Sequence, residues 1–152
     1  MTIFIGADHR GLGLKNEIIE YLQNKNIRVE DLGAYELDET DDFPDFAKPV
    51  AEAVLQQKDS FLGIVICGSG VGVNIAANRY NGIYCGLGFN IDQVKSAREH
   101  DHINILALPA DYIGQEDAKK MIDVFLATKP LDKDKYKRRL QKIDNPKENK
   151  TD

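Results

Sequence analysis

Short apolar runs alternate with helical patterns along the chain, and this alternation limits the folds that the sequence can adopt. Runs rich in isoleucine, valine and leucine predict five buried strands, at residues 2–5, 27–32, 62–66, 83–87 and 103–108. Apolar residues at helical spacing predict helices at 12–24, 46–57, 71–80, 90–99, 114–127 and 133–142. Strict alternation implies an α/β fold, a doubly wound three-layer sandwich with a five-stranded parallel sheet. We expect the strand order 2-1-3-4-5.

The bulk properties fit one globular domain. The chain has 152 residues, of which 42% are hydrophobic and 30% charged. We expect a single domain over 1–144, including a basic C-terminal helix, and a flexible polar tail over 145–152. The net charge of −5 argues against nucleic-acid binding, which needs a basic surface. No apolar run approaches the ~20 residues that cross a membrane, so no membrane partner is expected.

The cysteine content and the N-terminus bear on the cellular compartment. Cys67 and Cys85 are the only cysteines, so a disulfide framework is not expected and a reducing cytoplasm fits better. The first strand begins at Thr2 without a basic segment before it, so we expect no signal peptide. The sequence therefore favours a cytoplasmic protein.

The third predicted strand runs into Cys67 and then into the alternate glycines Gly68, Gly70 and Gly72. Such a turn can aim backbone N–H groups at one point beside a helix N-terminus, which binds an anion. The same partial positive charge favours the reactive thiolate form of a cysteine, and a base beside an anion hole suits chemistry that passes through an oxyanion. The spacing matches neither the dinucleotide fingerprint nor the Walker loop. A lone cysteine at a strand end can also be a small buried hydrophobe.

Two polar turns are expected to converge on one crevice. In the predicted order strands one and three are neighbours, and their carboxyl ends form the topological switch point. Asp8 and His9 follow strand one, and Cys67 follows strand three. Asp8 can cap the next helix while His9 is merely exposed. Alternatively, His9 holds a sugar oxygen or phosphate and Asp8 orients it.

The helix after strand four ends in a polar sequence that contains His100 and His102. Histidine at a helix C-terminus is favoured by the helix dipole alone. The two histidines and Asp101, beside Asn104, could instead form an acid–base centre. A third strong ligand at a helpful spacing is lacking, so we expect no metal.

The basic run that contains Lys135 and Arg139 allows two interpretations. It can be a solvated helix face, or it can close over a phosphate, in this subunit or in a neighbouring one. The run has no obvious partner on its own chain, which favours an oligomer.

Four motifs together resemble the ribose-5-phosphate isomerase B family, which shares its fold with the galactose-6-phosphate isomerase subunits. They are Gly6-Ala7-Asp8-His9-Arg10-Gly11, Asp42-Phe43-Pro44, Ile66 to Gly72 with Ile75 to Asn78, and Arg98-Glu99-His100 with Asn104 to Ala107. The similarity runs from about Ile3 to Ile143. It implies an enzyme without a cofactor that interconverts ribose 5-phosphate and ribulose 5-phosphate through a cis-enediolate. It also implies a homodimer or homotetramer with active sites shared between subunits.

The resemblance assigns roles to individual residues. Cys67 matches the base that moves the proton between C1 and C2, the Gly68–Gly72 loop matches the anion hole, and His100 matches the residue that opens the furanose ring. The residues implied to be catalytic are Cys67, His100, Asp8 and Ser69. Those implied to bind substrate are Asp8, His9, Gly68, Ser69, Gly70, Val71, Gly72, Asp101, Asp111, Lys135 and Arg139.

The sequence departs from the family pattern mainly where the phosphate is expected. Phe43 replaces a tyrosine, Asp101 an asparagine, Asp111 and Lys135 replace arginines, and Tyr136 a histidine. The proton-transfer half of the site is thus intact and the phosphate half is altered. Two alternatives within this fold stay open, an isomerase of another sugar phosphate such as a hexose 6-phosphate, and a noncatalytic sugar-phosphate-binding homologue. A third, a cysteine hydrolase, would need an activating histidine paired with Cys67, which the sequence does not place.

Overall fold

A computed structural model describes residues 1–57 and 60–146 and confirms the doubly wound α/β fold. The strands are β1 Thr2–Ala7, β2 Arg28–Asp31, β3 Phe61–Cys67, β4 Cys85–Leu87 and β5 Ile105–Pro109. The helices are α1 Leu12–Asn24, α2 Pro44–Gln56, α3 Val71–Ala77, α4 Ile91–His100, α5 Gln115–Ala127 and α6 Asp134–Asp144. The expected polar tail lies outside the described residues from position 147 onward.

The order of the last two strands differs from the prediction. The parallel sheet has the order β2-β1-β3-β5-β4, so the expected 2-1-3-4-5 is wrong at this edge. All of β5 is buried, whereas β4 has three residues of which only Cys85 is buried. A long strand buried on both faces belongs in the interior of a sheet, and a short half-buried strand suits an edge. As a result, Pro109 on β5 pairs with Cys67 on β3.

Helices cover both faces of the sheet. One core contains buried residues of α1, α4 and α5, and the other contains those of α2 and α3. Successive residues of β3 alternate between them: Ile66 belongs to the first core, and Val65 and Cys67 belong to the second. Cys67 therefore lies on the same side of the sheet as α3, the helix that follows it.

An ion pair between buried Lys15 and partly exposed Asp31 anchors the loop between β2 and α2. The side chain of Lys15 on α1 is fully buried, and its Nζ lies 2.6 Å from both carboxylate oxygens of Asp31. Asp31 also accepts a hydrogen bond from the N–H of Gly33 at 2.9 Å. The pair fixes the start of the loop that carries Asp41 and Phe43 to the carboxyl edge of the sheet.

Within the described residues, no helix is both long and apolar enough to span a membrane.

Candidate active site

A cavity of ≈ 300 Å³ lies at the carboxyl ends of β1, β3 and β5. The turns after strands one and three meet here, as the strand pairing predicts. Its lining residues are Asp8, Arg10, Phe43, Cys67, Gly68, Ser69, Gly72, Asp111 and Tyr112. Six of these are among the site residues that the resemblance implies. Arg10 and Phe43 appeared in the sequence analysis only as parts of motifs, and Tyr112 was not named there.

Cys67 forms the floor of the cavity and is only 4% exposed. The turn after it requires glycine at Gly70, which caps α3 with a left-handed φ of 71°. A Cβ atom at Gly70 would lie 2.6 Å from Cδ1 of Leu87, too close for any larger residue. The backbone thus turns sharply from β3 into α3. Ser69 is exposed beside the thiol, and its Oγ accepts the N–H of Val71 at 3.3 Å.

Asp8 is buried and shapes the turn that precedes α1. Its Oδ1 accepts the N–H groups of Arg10 at 3.0 Å and of Gly11 at 3.1 Å. Burial raises the pKa of the Asp8 carboxyl group above its ordinary value, although both of these hydrogen bonds act in the opposite direction. The N-cap of α1 is Gly11, without a side-chain hydrogen bond, so Asp8 does not cap this helix as the sequence allowed. Its carboxylate instead holds the turn before α1, and it lies in the cavity wall.

His9 is paired with an aspartate that the sequence did not single out. Its Nδ1 lies 2.6 Å from Oδ1 of Asp41, and its backbone N–H donates to the same oxygen at 3.1 Å. This hydrogen bond raises the pKa of His9, so the pair favours the imidazolium form. The Asp41 side chain is only 9% exposed, and its Oδ2 has no hydrogen-bond partner among the described residues.

Asp8, His9 and Asp41 form the one grouping among residues 1–57 and 60–146 with the ligand types of a metal site. One ligand atom from each lies within 4.8 Å of the others. The short contact between Nδ1 of His9 and Oδ1 of Asp41 is that of a hydrogen bond, which already engages both atoms. We therefore interpret the cluster as a hydrogen-bonded network.

Arg10 and Asp111 form an ion pair in the lining of the cavity. The Nη2 of Arg10 donates to Oδ2 of Asp111, and the backbone N–H of Asp111 donates to the carbonyl of Gly68 at 3.0 Å. A Cβ atom at Gly68 would lie 2.6 Å from Nε of Arg10 and 2.7 Å from Oδ2 of Asp111. The pair thus lies directly over the turn after Cys67. The sequence could have indicated Arg10 as a site residue, because it lies in the same turn as Asp8 and His9.

Phe43 packs on the other side of the same turn. A Cβ atom at Gly72 would lie 2.9 Å from Cζ of Phe43, so this glycine allows the ring to approach the start of α3. Val71, exposed at the first position of α3, belongs to the predicted loop but not to the cavity lining. Phe43 supplies an apolar wall where the family pattern has a tyrosine hydroxyl.

The other predicted residues form a separate group on α4 and α6. The rings of His100 and Tyr136 stack with centroids 4.8 Å apart. Lys135 Nζ lies 4.9 Å and the guanidinium carbon of Arg139 6.0 Å from the centre of the Tyr136 ring. Asp101, directly after α4, is exposed. None of these residues lines the cavity of its own chain.

His102 and Asn104 have structural partners instead of joining His100. His102 Nε2 lies 3.1 Å from the carbonyl oxygen of Leu131. The amide of Asn104 accepts the N–H of Tyr84 at 2.9 Å and donates to the carbonyl of Gly82 at 2.9 Å. These contacts hold the loop before β5, and they do not form the two-histidine acid–base centre considered from the sequence.

The chain belongs to the ribose/galactose isomerase family, whose model matches residues 3–143. It is 41% identical to the probable ribose-5-phosphate isomerase B of Mycoplasma genitalium, over 93% of each chain. A crystal structure of ribose-5-phosphate isomerase B from Mycoplasma genitalium with bound ribulose-5-phosphate superimposes with a TM-score of 0.91, at 39% identity and 97% coverage of both chains. The ribose 5-phosphate isomerase structure from Thermotoga maritima gives a TM-score of 0.89 at 43% identity, covering 95% of this chain and 97% of the other.

Proposed function

We propose that this protein is an aldose–ketose isomerase that interconverts ribose 5-phosphate and ribulose 5-phosphate through a cis-enediolate. The observation that carries the proposal is the position of the Cys67 thiol at the floor of a cavity, beside a tight glycine turn. The similarity extends over 97% of both chains to an isomerase whose structure contains bound ribulose-5-phosphate, and this supports the choice of substrate.

The proposed reaction moves one proton between two carbons. Cys67, as thiolate, removes the proton from C2 of the open-chain aldose, and the electron pair moves to form the enediolate. The backbone N–H groups of the Gly68–Gly72 turn, with Ser69, stabilise the negative oxygen. Cys67 then returns the proton to C1 while the hydroxyl proton passes from O2 to O1, and the ketose results. Asp8, whose pKa is raised by burial, is placed to exchange a proton with a sugar oxygen.

The group on α4 and α6 suggests that two subunits share each active site. His100, Asp101, Lys135 and Arg139 lie outside the cavity of their own chain. In the proposed homodimer, or homotetramer built from it, they enter the partner's cavity. His100 there opens the furanose ring, and Lys135 and Arg139 bind the phosphate together with His9. The proposed location is the cytoplasm, where both free cysteines would stay reduced.

One observation favours a second candidate, an isomerase of a different sugar phosphate. The carboxylate of Asp111 lines the cavity, in a region where a substrate phosphate needs positive charge. A substrate with its phosphate placed differently, such as a hexose 6-phosphate, would avoid this carboxylate.

A substrate panel tests the proposal and separates the two candidates. Purified protein is incubated with ribose 5-phosphate and, separately, with aldohexose 6-phosphates, and ketose formation is measured. Ribose 5-phosphate should be the best substrate, and the Cys67→Ala variant should form no ketose from any of them. Higher kcat/KM for a hexose phosphate would select the second candidate. Absence of turnover with every sugar phosphate would contradict both.

A further inference from the structure

The cationic side chain of Arg10 lines the cavity at a position that suits the phosphate end of the substrate. A sugar phosphate carries its reacting carbons at one end and its phosphate at the other. Cys67 at the floor is 4% exposed, whereas the Arg10 side chain at the mouth is 58% exposed. With C1 and C2 at the thiol, the phosphate therefore extends toward Arg10.

Arg10 is the only cationic side chain among the described residues that line this cavity. The other charged lining residues are Asp8 and Asp111, so without this guanidinium the lining of the chain's own cavity would offer a phosphate dianion only carboxylates. A guanidinium has five N–H donors in a fixed plane, and Asp111 accepts from the Nη2 end. The remaining donors suit a bidentate contact with phosphate.

Asp111 is well placed to hold this guanidinium. Its backbone N–H donates to the carbonyl of Gly68 at 3.0 Å, and the preceding N–H, of Ala110, donates to that of Cys67 at 2.9 Å. The carboxylate is thereby fixed to the same turn that carries the thiol. Because Gly68 has no Cβ atom, Arg10 and Asp111 can both lie over its backbone.

We propose that Arg10 binds the substrate phosphate in the cavity of its own subunit and that Asp111 is a positioning residue that orients the Arg10 guanidinium. The assignment rests on the proposed function of this cavity as a sugar-phosphate site. It explains how a carboxylate can lie in a phosphate-binding cavity: Asp111 acts through Arg10.

The test is a double-mutant cycle with Arg10→Ala, Asp111→Ala and the double variant, read by calorimetric binding of inorganic phosphate and by the kinetics with ribose 5-phosphate. Arg10→Ala should weaken phosphate binding and raise KM by at least about tenfold, with kcat changed less than about threefold. Arg28→Ala is the matched control, since Arg28 is an exposed arginine paired with Glu30 at the opposite end of the sheet. If the Arg10→Ala protein does not fold, the measurement is repeated with Arg10→Gln, which keeps most of the side chain.

The sign of the Asp111 effect is the decisive reading. With Arg10 present, Asp111→Ala should weaken phosphate binding, because the guanidinium loses its anchor. In the Arg10→Ala background, Asp111→Ala should tighten phosphate binding, because it removes a carboxylate that has lost its guanidinium partner. Tightening in both backgrounds would overturn the positioning role, and phosphate affinity of Arg10→Ala within about twofold of wild type would overturn the role of Arg10. Calorimetry needs no turnover, so these results stand apart from success or failure of the isomerase assay.

Discussion

Nδ1 of His9 lies 2.6 Å from Oδ1 of Asp41, although 32 positions separate the two residues in the chain. The hydrogen bond joins the turn after β1 to the loop before α2. It also favours a positively charged imidazole in the turn that carries Arg10. Asp8, Arg10 and Asp38 are the other charged groups that act on His9 or on which it acts.

The first prediction concerns the pKa of His9. Asp41→Asn should lower this pKa toward its ordinary value of 6.5, because the charged partner of the hydrogen bond is lost. NMR titration of the imidazole signals measures it. The raised pKa in the folded state means that the pair stabilises the fold below the unfolded-state pKa, and that this contribution disappears as the pH rises through the folded-state pKa. The pH dependence of thermal unfolding should therefore flatten in this variant.

Asp38→Asn is the control for this titration. Asp38 interacts with His9 only electrostatically, and its carboxylate accepts a hydrogen bond from the Thr40 hydroxyl instead. Its substitution should move the His9 midpoint less than Asp41→Asn does. Equal midpoints in the wild type and in Asp41→Asn would show that the hydrogen bond is not formed in solution.

The second prediction concerns the proton-transfer base. Cys67→Ala should reduce kcat by a factor of about 10² or more while substrate still binds, because the thiolate that takes the C2 proton is lost. Cys67→Ser should be nearly as impaired, since a serine hydroxyl does not ionise near neutral pH. Cys85 lies in the core behind the site, where burial raises the pKa of its thiol, and Cys85→Ala should leave kcat almost unchanged. Near-wild-type turnover by either Cys67 variant would exclude this cysteine as the base.

The third prediction concerns the shared active site. Cys67→Ala and His100→Ala proteins should each be inactive, and mixing them with subunit exchange should restore up to about a quarter of the wild-type sites, as expected for random dimers with one intact site per hybrid. Sedimentation velocity should show a species larger than the 17.1 kDa chain. If hybrids form and activity does not return, His100 acts in the cavity of its own chain or in neither cavity.

The fourth prediction concerns the turn after Cys67. Gly70→Ala should destabilise the protein by about 1–3 kcal/mol and reduce activity, because it places a Cβ atom at a left-handed φ of 71° and 2.6 Å from Leu87 Cδ1. Gly13→Ala is the matched control, since a Cβ atom on this helical glycine would meet nothing within 4 Å. That control should be neutral or slightly stabilising. Equal melting temperatures of the two variants would contradict the strained geometry at Gly70.

Local sequence patterns were sufficient to predict the secondary structure. The spacing of apolar residues located α1 at 12–24 with the bounds that the structure shows. The helix predicted at 90–99 spans Ile91–His100, and the Oδ1 of Asn90 caps it by accepting the N–H of Gln93. The largest discrepancy at a boundary is three residues, at α3, predicted to reach Tyr80 and ending at Ala77. Such patterns work because helix periodicity and capping involve residues a few positions apart.

The tertiary structure alone decided the contacts between distant segments. β5 lies beside β3 because it is buried along its whole length, and this places Asp111 next to Gly68. Asp111 meets Arg10 from 101 positions away, and Asp41 meets His9 from 32. The α/β class, the glycine turn after Cys67 and the meeting of the turns after strands one and three follow from sequence patterns, because each depends on local pattern or on the pairing of neighbouring strands. The partners of Arg10 and His9 depended on how the whole chain packs, since a charged residue in a loop carries no local signal of the distant residue that it will face.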